Sequence, residues 1–380
     1  MQSIYLDYNT TTPMAPDVQD AILPFLAENY GCPMSRHVLG RISQEAVEEA
    51  RTRVAEMLQA QRHEIVFTSS GSEANNLAIK GIALATAPSG GGHLVISAVE
   101  HASVTASAAW LETLGYDLSI VPCDGDGRVN PDDVDAAIRP DTLLVSVQHA
   151  NHVVGTVQPV KTISDVCRFH DVPLHCDASQ SLGKIPVSIA QLGVDMLTLS
   201  GHKMYAPPGV GVLFVREGLD CRPLIHGDEQ EHGMRGGREN VPAIVGMGKA
   251  AALLQRSHGG FTDHLASLRD RLQRALQDGV GPELKVFGGK SERLPNTLTV
   301  NFPDAGAAAM LRRVPELCVT DFSSSAGGSE GLEPALTAMN LSAGETRGTI
   351  RLSVGWYTNA GEVDHAANLL IAAWEGCQGE

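Results

Sequence analysis

Between about residues 60 and 215, short apolar runs alternate with amphipathic stretches, and this alternation constrains the fold more than any other feature of the chain. Several of the intervening stretches repeat apolar residues at the three-to-four spacing of a helix. The helical patterns are "SEANNLAIKGIALA", "ASVTASAAWLETLG" and "VKTISDVCRFH", and the apolar runs are "EIVFTS", "HLVISA", "LSIVPC", "TLLVSVQH", "PLHCDA", "MLTLSG" and "GVGVLFV". Strands and helices in alternation predict a three-layered α/β fold with a mainly parallel sheet of these seven strands, and ligands bind beyond the strand ends of such sheets.

A second, smaller unit is predicted where the chain turns polar after "VPAIVGMGKAAALLQ". An amphipathic helix, "LASLRDRLQRALQDG", is followed by the strand-like runs "LKVFGG", "NTLTVNF" and "TIRLSVG" and by a last helix, "EVDHAANLLIAAWEG". A chain of 380 residues with 43% apolar content is long enough for two compact units. We therefore predict a large domain over residues 15–257 and a smaller α+β domain formed by residues 1–14 and 258–380.

The charge and the cysteine pattern exclude several functions. A formal net charge of −16 disfavours a surface that neutralises phosphates, so we expect no direct nucleic-acid contact. The N-terminal "MQSIYLDYNTTTP" lacks a signal-peptide pattern, and no apolar run is long enough to span a membrane. Seven scattered cysteines without a Cys-x-x-Cys pair are typical of a reduced compartment, and we expect a cytoplasmic protein.

One cluster of metal-ligating residue types occurs in "CRFHDVPLHCD", at Cys167, His170, His175 and Cys176. Its spacing matches no standard zinc pattern, and a helix end followed by a buried strand explains it more simply. We expect no metal site.

The stretch "LTLSGHKMYAPPGVG" places Lys203 directly after a buried strand. Burial at a strand end lowers the pKa of a lysine and suits its amine to condense with an aldehyde. The alternative is an ordinary surface lysine in a loop.

Two further stretches supply the partners that such a lysine needs. In "PLHCDASQSLG", Asp177 ends the preceding strand, so parallel pairing brings Asp177 and Lys203 to one crevice, although an aspartate at such a position, taken alone, is more often a helix cap. In "VFTSSGSEANNLAIKG", residues 69–72 aim amides and hydroxyls at an anion on a helix N-terminus. A buried carboxylate, a lysine and an anion cradle together match pyridoxal phosphate, because a protonated pyridine nitrogen gives the carboxylate a cationic partner. The "GVGVLF" run is too short for a dinucleotide fingerprint.

With these residues in view, the chain resembles the cysteine desulfurases of the NifS and IscS type, within the class V aminotransferase family. The resemblance runs from "IYLDYNTTTP" through "GSEANN", "VEHASV", "HCDASQSLGK", "SGHK", "EHGMRGGREN" and "LEPAL" to "IRLSVG". It implies the type I fold of pyridoxal phosphate enzymes and the cofactor pyridoxal 5'-phosphate.

The resemblance also implies a role for each matching residue. Lys203 would bind the cofactor covalently, Asp177 would pair with its pyridine nitrogen and His101 would stack on its ring. Gln180 would hydrogen-bond the ring hydroxyl, and Arg351 would bind the substrate carboxylate. Ser72, Ser200 and His202 would hold the phosphate, and Ser70 and Gly71 would also belong to the cofactor site.

In the resembled family, the lysine takes the Cα proton of free L-cysteine and a loop cysteine attacks the substrate sulfur. The products are alanine and an enzyme persulfide, whose sulfur passes to an acceptor protein. The resemblance thus implies L-cysteine as substrate, a homodimer and a sulfur-acceptor partner in iron-sulfur, tRNA thiolation or, for DndA-type members, DNA phosphorothioation pathways.

The chain departs from the family at the nucleophile. "SSSAGGSEGLEP" aligns without a gap with the family's Ser-x-Ser-Ala-Cys loop and places Gly327 at the cysteine position. Glycine has no side chain to hold sulfur. The chain is then an inactivated variant, a natural relative with other chemistry, or an enzyme that uses another thiol. Cys318 is the nearest thiol in sequence, but its apolar strand favours a core position.

Three more positions differ from the family. His152 stands where the family has an asparagine near the ring hydroxyl, and Cys32 stands where an asparagine helps to bind the substrate carboxylate. Arg238 replaces a threonine that reaches the phosphate in the partner subunit, an anion that a guanidinium also binds. Two other functions stay open at this stage: a pyridoxal phosphate lyase, aminotransferase or epimerase that needs no protein thiol, and a non-catalytic partner in a complex.

Overall fold

The structure, a computed structural model, describes residues 3–256, 260–322 and 333–378. We number its strands and helices in chain order. The strands are β1 (Ile4–Tyr5), β2 (Ile65–Thr68), β3 (His93–Ser97), β4 (Asp117–Val121), β5 (Thr142–Ser146), β6 (Leu174–Asp177), β7 (Met196–Ser200), β8 (Gly211–Val215), β9 (Lys285–Phe287), β10 (Thr297–Asn301), β11 (Leu317–Cys318), β12 (Thr320–Asp321) and β13 (Thr349–Ser353).

The helices divide into α-helices and three short 3₁₀ turns at Arg62–Glu64, Gly201–Lys203 and Gln230–Gly233. The α-helices are α1 (Pro16–Ala27), α2 (Val38–Leu58), α3 (Gly71–Thr86), α4 (Ala102–Glu112), α5 (Pro131–Ala137), α6 (Val160–Phe169), α7 (Ile189–Leu192), α8 (Val241–Arg256), α9 (Gly260–Val280), α10 (Ala307–Leu311), α11 (Pro334–Ala338), α12 (Ala343–Thr346) and α13 (Ala360–Glu375). None of the described helices is long and apolar enough to cross a membrane.

The central sheet confirms the predicted α/β architecture. Its seven strands follow the order β2-β8-β7-β6-β5-β3-β4, and each coincides with one of the seven apolar runs. One strand, β8, runs antiparallel to both of its neighbours, β2 and β7. Only residues 201–210 join β7 to β8, and a connection of that length is shorter than the crossover that parallel strands require.

Both faces of this sheet are buried, as the continuous apolar runs predict. Along β3, Val95 packs into one core cluster, and its neighbours Leu94 and Ile96 pack into the cluster on the opposite face, below α3 and α4. Leu144 and Val145 divide in the same way on β5. The sheet is thereby held rigidly between helices, and its strand ends are fixed points for side chains.

A second sheet lies in the C-terminal half of the chain. Its order is β12-β13-β10-β9, with antiparallel pairing throughout. A separate apolar cluster packs here, with residues from α9, α13 and the N-terminal Ile4 and Leu6. The short strand β1 pairs in parallel with β11 nearby. The domain limits of the sequence analysis stay a prediction, and residue 257 itself lies outside the described residues.

Candidate active site

A cavity of about 390 Å³ opens beyond the strand ends of the central sheet. Its size falls in the range of small-molecule and cofactor sites. The structure brings together on its walls most of the residues that the sequence analysis selected. They are Ser70, Gly71, Ser72, His101, His152, Asp177, Gln180, Ser200, His202, Lys203 and Arg351.

Asp177 ends β6 and is the buried anion of the cavity. Its Oδ1 accepts a hydrogen bond from the Ser179 N–H at 2.9 Å, and its Oδ2 accepts one from Asn75 Nδ2 at 2.8 Å. Burial opposes ionisation, but the hydrogen bonds of Ser179 and Asn75, together with Lys203, hold the pKa of Asp177 below its usual value. The cavity thus contains a buried carboxylate that is ionised at neutral pH.

Lys203 lies in the 3₁₀ turn that follows β7, one strand away from β6. Burial lowers the pKa of the Lys203 amine from its ordinary value, Asp177 opposes that shift and Arg351 adds to it. A lysine with a lowered pKa has a larger neutral fraction at physiological pH, which both nucleophilic attack and proton abstraction require.

The N-terminus of α3 forms a polar cradle at another wall of the cavity. Ser70 caps the helix, with its Oγ accepting a hydrogen bond from Glu73 N at 3.2 Å. A Cβ atom on Gly71 would lie 3.1 Å from Ser200 Cβ and 3.2 Å from Ser179 Oγ, so a side chain there would fill the cradle. The free amides at a helix N-terminus, beside these hydroxyls, suit an anion.

Three histidines face the cavity, and two of them are held neutral. Burial lowers the pKa of His101 to about 4, with a further contribution from His152. Burial and Lys203 lower the pKa of His202 to about 4. The His101 and His152 rings meet edge to face at 5.7 Å, and His152 Nε2 lies 3.6 Å from Glu333 Oε1. A neutral His101 presents an aromatic ring without a charge.

Arg351 projects from the middle of β13 and is almost fully buried. One of its terminal nitrogens contacts Asp7 Oδ1 at 2.8 Å, Thr10 Oγ1 at 2.7 Å and Thr320 Oγ1 at 2.8 Å. The other donates to the backbone oxygen of His152 at 2.8 Å. The Nε atom is buried and has no hydrogen-bond partner in the described part of the chain.

Two predicted site residues in the described part of the chain, Cys32 and Arg238, do not line this cavity. Cys32 lies in the loop between α1 and α2, where its backbone oxygen accepts a hydrogen bond from Ser35 N. Arg238 lines a different cavity, shared with Ser69 and Arg235. Gly327 lies outside the described residues. The roles assigned to these positions stay predictions.

None of the seven cysteines lines the cavity, and all seven belong to the described part of the chain. Cys318 is half-buried on β11, where it pairs with Tyr5. The four residues of the "CRFHDVPLHCD" cluster have separate surroundings. His170 contacts Asp135, His175 bonds Ser146 and Thr198 inside the sheet, and Cys167 and Cys176 are buried.

Several lining residues escaped the sequence analysis: Asn9, Thr10, Asn75, Ser103, Gln148, Ala150 and Ser179. Asn75 could have been found, because it follows Gly71 by one helical turn and shares its face. Asn9 and Thr10 could not, because they come from the N-terminal segment, and no local pattern indicates that this segment returns to the cavity.

A buried acid lies directly behind the cavity. Glu100 Oε1 accepts hydrogen bonds from Ser97 Oγ at 2.5 Å and from Gln148 N at 2.8 Å, and Oε2 has no partner. Burial raises the pKa of Glu100 to about 8. This carboxyl group is therefore mainly protonated at neutral pH, in contrast to Asp177, whose pKa lies below its usual value.

The residues present fit pyridoxal 5'-phosphate. The helix N-terminus with Ser70, Gly71 and Ser200 suits its phosphate, and ionised Asp177 suits a protonated pyridine nitrogen. Lys203 is available for its aldehyde. The fold and the cavity thus define an α/β enzyme of the type I pyridoxal phosphate class.

The chain belongs to the Aminotransferase class-V family, whose sequence model matches residues 4–366. Pyridoxal 5'-phosphate is the cofactor of this family and of this chain. Among curated relatives, cysteine desulfurase IscS of Dictyoglomus turgidum is 39% identical over 97% of this chain and 94% of its own length. Cysteine desulfurase IscS 1 of Archaeoglobus fulgidus is 39% identical over 96% of this chain and 95% of its own length.

Solved structures agree with the sequence relatives. A NifS-like protein superposes with a TM-score of 0.91 at 30% identity, covering 99% of this chain and 100% of its own. SspA in complex with cysteine superposes with a TM-score of 0.83 at 34% identity, covering 94% of this chain and 100% of its own. DndA from Streptomyces lividans superposes with a TM-score of 0.78 at 31% identity, covering 92% of this chain and 99% of its own.

Proposed function

We propose that the chain is a cysteine desulfurase, which removes sulfur from L-cysteine and forms L-alanine. The observation that carries this proposal is one cavity that combines Asp177, Lys203 and Arg351 with the anion cradle of α3. The names of the relatives, and the cysteine complex of SspA, support cysteine as the substrate.

Each charged residue of the cavity has a task in this reaction. Pyridoxal phosphate, when bound, withdraws electrons from the amino acid and so acidifies its Cα–H. Asp177 keeps a proton on the ring nitrogen, which strengthens that withdrawal. Lys203 accepts the Cα proton, which its lowered pKa favours. Arg351, which lines the cavity, orients the substrate through its carboxylate.

The residue at position 327 determines whether the enzyme can accept the sulfur of the substrate. A thiol at this position would attack the substrate sulfur, so that the Cβ–S bond breaks, an S–S bond forms and Cβ gains a proton. Gly327 supplies no thiol, and no cysteine lines the cavity walls in the described part of the chain. We expect the chain to bind cofactor and cysteine and to lack persulfide formation at this position.

Replacing Gly327 by cysteine tests the proposal. After incubation with L-cysteine, Gly327→Cys should gain one sulfur atom in its intact mass and should release alanine, because the missing nucleophile is restored. Gly327→Ser is the matched control, since it adds a side chain of similar size without a transferable sulfur. If Gly327→Cys binds cysteine and forms neither persulfide nor alanine, the chain is not a desulfurase.

The glycine at position 327 favours a second candidate, a pyridoxal phosphate lyase, aminotransferase or epimerase that needs no protein thiol. Such an enzyme would release a keto acid or a racemised amino acid from the unmodified chain. Chiral chromatography of the amino acid and a keto-acid assay, both with the unmodified protein, distinguish it from a desulfurase.

The proposal extends to partners and location. The enzyme is a cytoplasmic homodimer in which Arg238 of one subunit reaches the phosphate site of the other, and it passes sulfur to an acceptor protein. The likeness to DndA supports an acceptor in DNA phosphorothioation, without direct nucleic-acid contact by this acidic chain. Sedimentation of the purified protein tests the dimer, and loss of cofactor affinity in Arg238→Ala tests the shared site.

A further inference from the structure

A buried lysine other than Lys203 lies beside the cavity, and no acidic side chain in the described ranges pairs with it. Lys184 is 6% exposed, and its Nζ contacts Gln180 Oε1 at 2.8 Å and Asn9 Oδ1 at 3.2 Å. Both acceptors are neutral amide oxygens, and no salt bridge of Lys184 occurs among the described residues. Burial, with Lys203 and Arg351 nearby, holds the pKa of Lys184 well below its ordinary value.

Such a group is unfavourable for folding by itself. A buried amine without an opposite charge pays a desolvation cost that an apolar side chain of similar length avoids. Stability therefore does not explain why this position carries a lysine. Its contacts point to the cavity instead.

The contact with Gln180 fixes the orientation of a side-chain amide. Gln180 Oε1 faces the Lys184 amine, and Gln180 Nε2 donates to the backbone oxygen of Asn9 at 2.9 Å. A flipped amide would set its oxygen against the Asn9 carbonyl and its NH₂ against a donating amine. In the observed orientation, the second N–H of Gln180 is left for the cavity that this residue lines.

The lysine is itself held by a polar network that reaches the second sheet. Asn9 Oδ1 accepts from Lys184 and from Asn296 Nδ2, the latter at 3.0 Å. Asn9 Nδ2 donates to Thr297 Oγ1 at 2.8 Å, at the start of β10. Because all of these groups are buried and bonded, the amine has a defined position from which to orient Gln180.

We propose that Lys184 is a positioning residue, which holds the Gln180 amide so that one of its N–H groups points into the cofactor cavity. This inference rests on the proposed contact between Gln180 and the ring hydroxyl of pyridoxal phosphate. Loss of Lys184 then weakens cofactor binding through Gln180 and leaves the folding of the chain intact.

A double-mutant cycle on cofactor affinity tests the inference. The dissociation constant of pyridoxal phosphate is measured by absorption titration of the cofactor-free protein for the unmodified chain, Lys184→Met, Gln180→Ala and the double variant. Lys184→Met should bind about tenfold more weakly, the usual effect of one lost hydrogen bond of this kind. The double variant should bind no more weakly than Gln180→Ala, because the lysine acts through the glutamine.

Two controls separate positioning from folding. Lys161→Met removes an exposed lysine paired with Asp165 and should leave the affinity unchanged. The melting temperature of cofactor-free Lys184→Met should stay within a few degrees of that of the unmodified chain, because the desolvation cost of the amine is removed while the buried Gln180 Oε1 loses its donor. Should Lys184→Met fail to fold, Lys184→Gln keeps an N–H donor near the same place and should retain affinity within about threefold.

Three outcomes would overturn the inference. Unchanged affinity in Lys184→Met, with weakened binding in Gln180→Ala, removes Lys184 from the site and leaves the proposed function intact. Fully additive losses in the double variant show that Lys184 acts independently of Gln180. Unchanged affinity in Gln180→Ala removes the contact on which the inference rests, and the Gly327→Cys assay still reports separately on desulfurase activity.

Discussion

The central sheet and the four-stranded second sheet each supply one basic residue to the cavity, and they do so in different ways. Lys203 follows the end of β7, in a turn bounded closely by two strands of the central sheet. Arg351 lies in the middle of β13, between β10 and β12, and its guanidinium is held by Asp7, Thr10 and Thr320 from distant parts of the chain. The lysine is placed by local chain geometry, and the arginine is placed by long-range pairing.

This difference predicts that substitutions at the two residues have different effects on activity and stability. Loss of Lys203 removes the proposed proton acceptor and leaves the other residues of the cavity in place. Loss of Arg351 removes the proposed substrate contact and also leaves the half-buried carboxylate of Asp7 without its cationic partner.

The largest effect is expected at the central sheet. In the Gly327→Cys background, Lys203→Ala should lower the rate of alanine formation by about 10³-fold or more, because it removes the proposed proton acceptor. The visible absorption of the bound cofactor should also be lost. Lys161→Ala, at an exposed position, is the control. Turnover within tenfold of the parent would exclude Lys203 as the proton acceptor.

The second effect is expected at β13. Arg351→Gln should raise the cysteine concentration that half-saturates the spectral change by about 10- to 100-fold, as expected for one or two lost charge-assisted hydrogen bonds. It should also lower the melting temperature, since Asp7 loses its partner. Adding Asp7→Asn should restore the melting temperature and leave cysteine binding weak. Joint recovery of both quantities would contradict the proposed role of Arg351.

The third effect concerns pH and the acid behind the central sheet. The folded-state pKa of Glu100 is about 8, and its ordinary value is 4.5, so between these values the folded chain holds a proton that the unfolded chain releases. Stability should therefore fall as pH rises from about 5 to 8, by at most about 1.4 kcal/mol per pH unit, and should level off above that. Glu100→Gln should remove this slope. Thermal melts at several pH values measure it, and an unchanged slope would show that Glu100 is ionised.

The smallest effect is expected at the contact that joins the two regions. Tyr205, two residues after Lys203, stacks on Trp356 with ring centroids 3.8 Å apart, and its Oη accepts from Trp356 N at 2.8 Å. Tyr205→Phe keeps the stack and loses the hydrogen bond, which should cost about 1 kcal/mol of stability. Chemical unfolding of the two proteins measures this difference. A destabilisation above about 3 kcal/mol would mean that the hydroxyl does more than bond Trp356.

The same contrast explains how much of the site the sequence could predict. Asp177, Lys203 and the α3 cradle follow strands, and the end of a buried apolar run is visible in a linear pattern. The antiparallel direction of β8 was not predicted, although the short connection from Lys203 to Gly211 requires it. Asp7 and Asn9 reach the site through pairings across more than 280 residues, which no periodicity records. Arg351 was predicted only through the family resemblance.

The hairpin of β7 and β8 has a further consequence for how the enzyme loses its structure. Both strands lie inside the central sheet, with β6 on one side and β2 on the other, and their residues are almost entirely buried. Amide hydrogens in such strands exchange with solvent only when the largest cooperative unit opens. Lys203 lies in the link between them, whereas Arg351 depends on a smaller sheet with a separate core. With the roles proposed for Lys203 and Arg351, a partly unfolded chain that has released its second sheet would keep the lysine that binds the cofactor and lose the arginine that binds cysteine, so cofactor colour by itself would be an unreliable measure of intact enzyme.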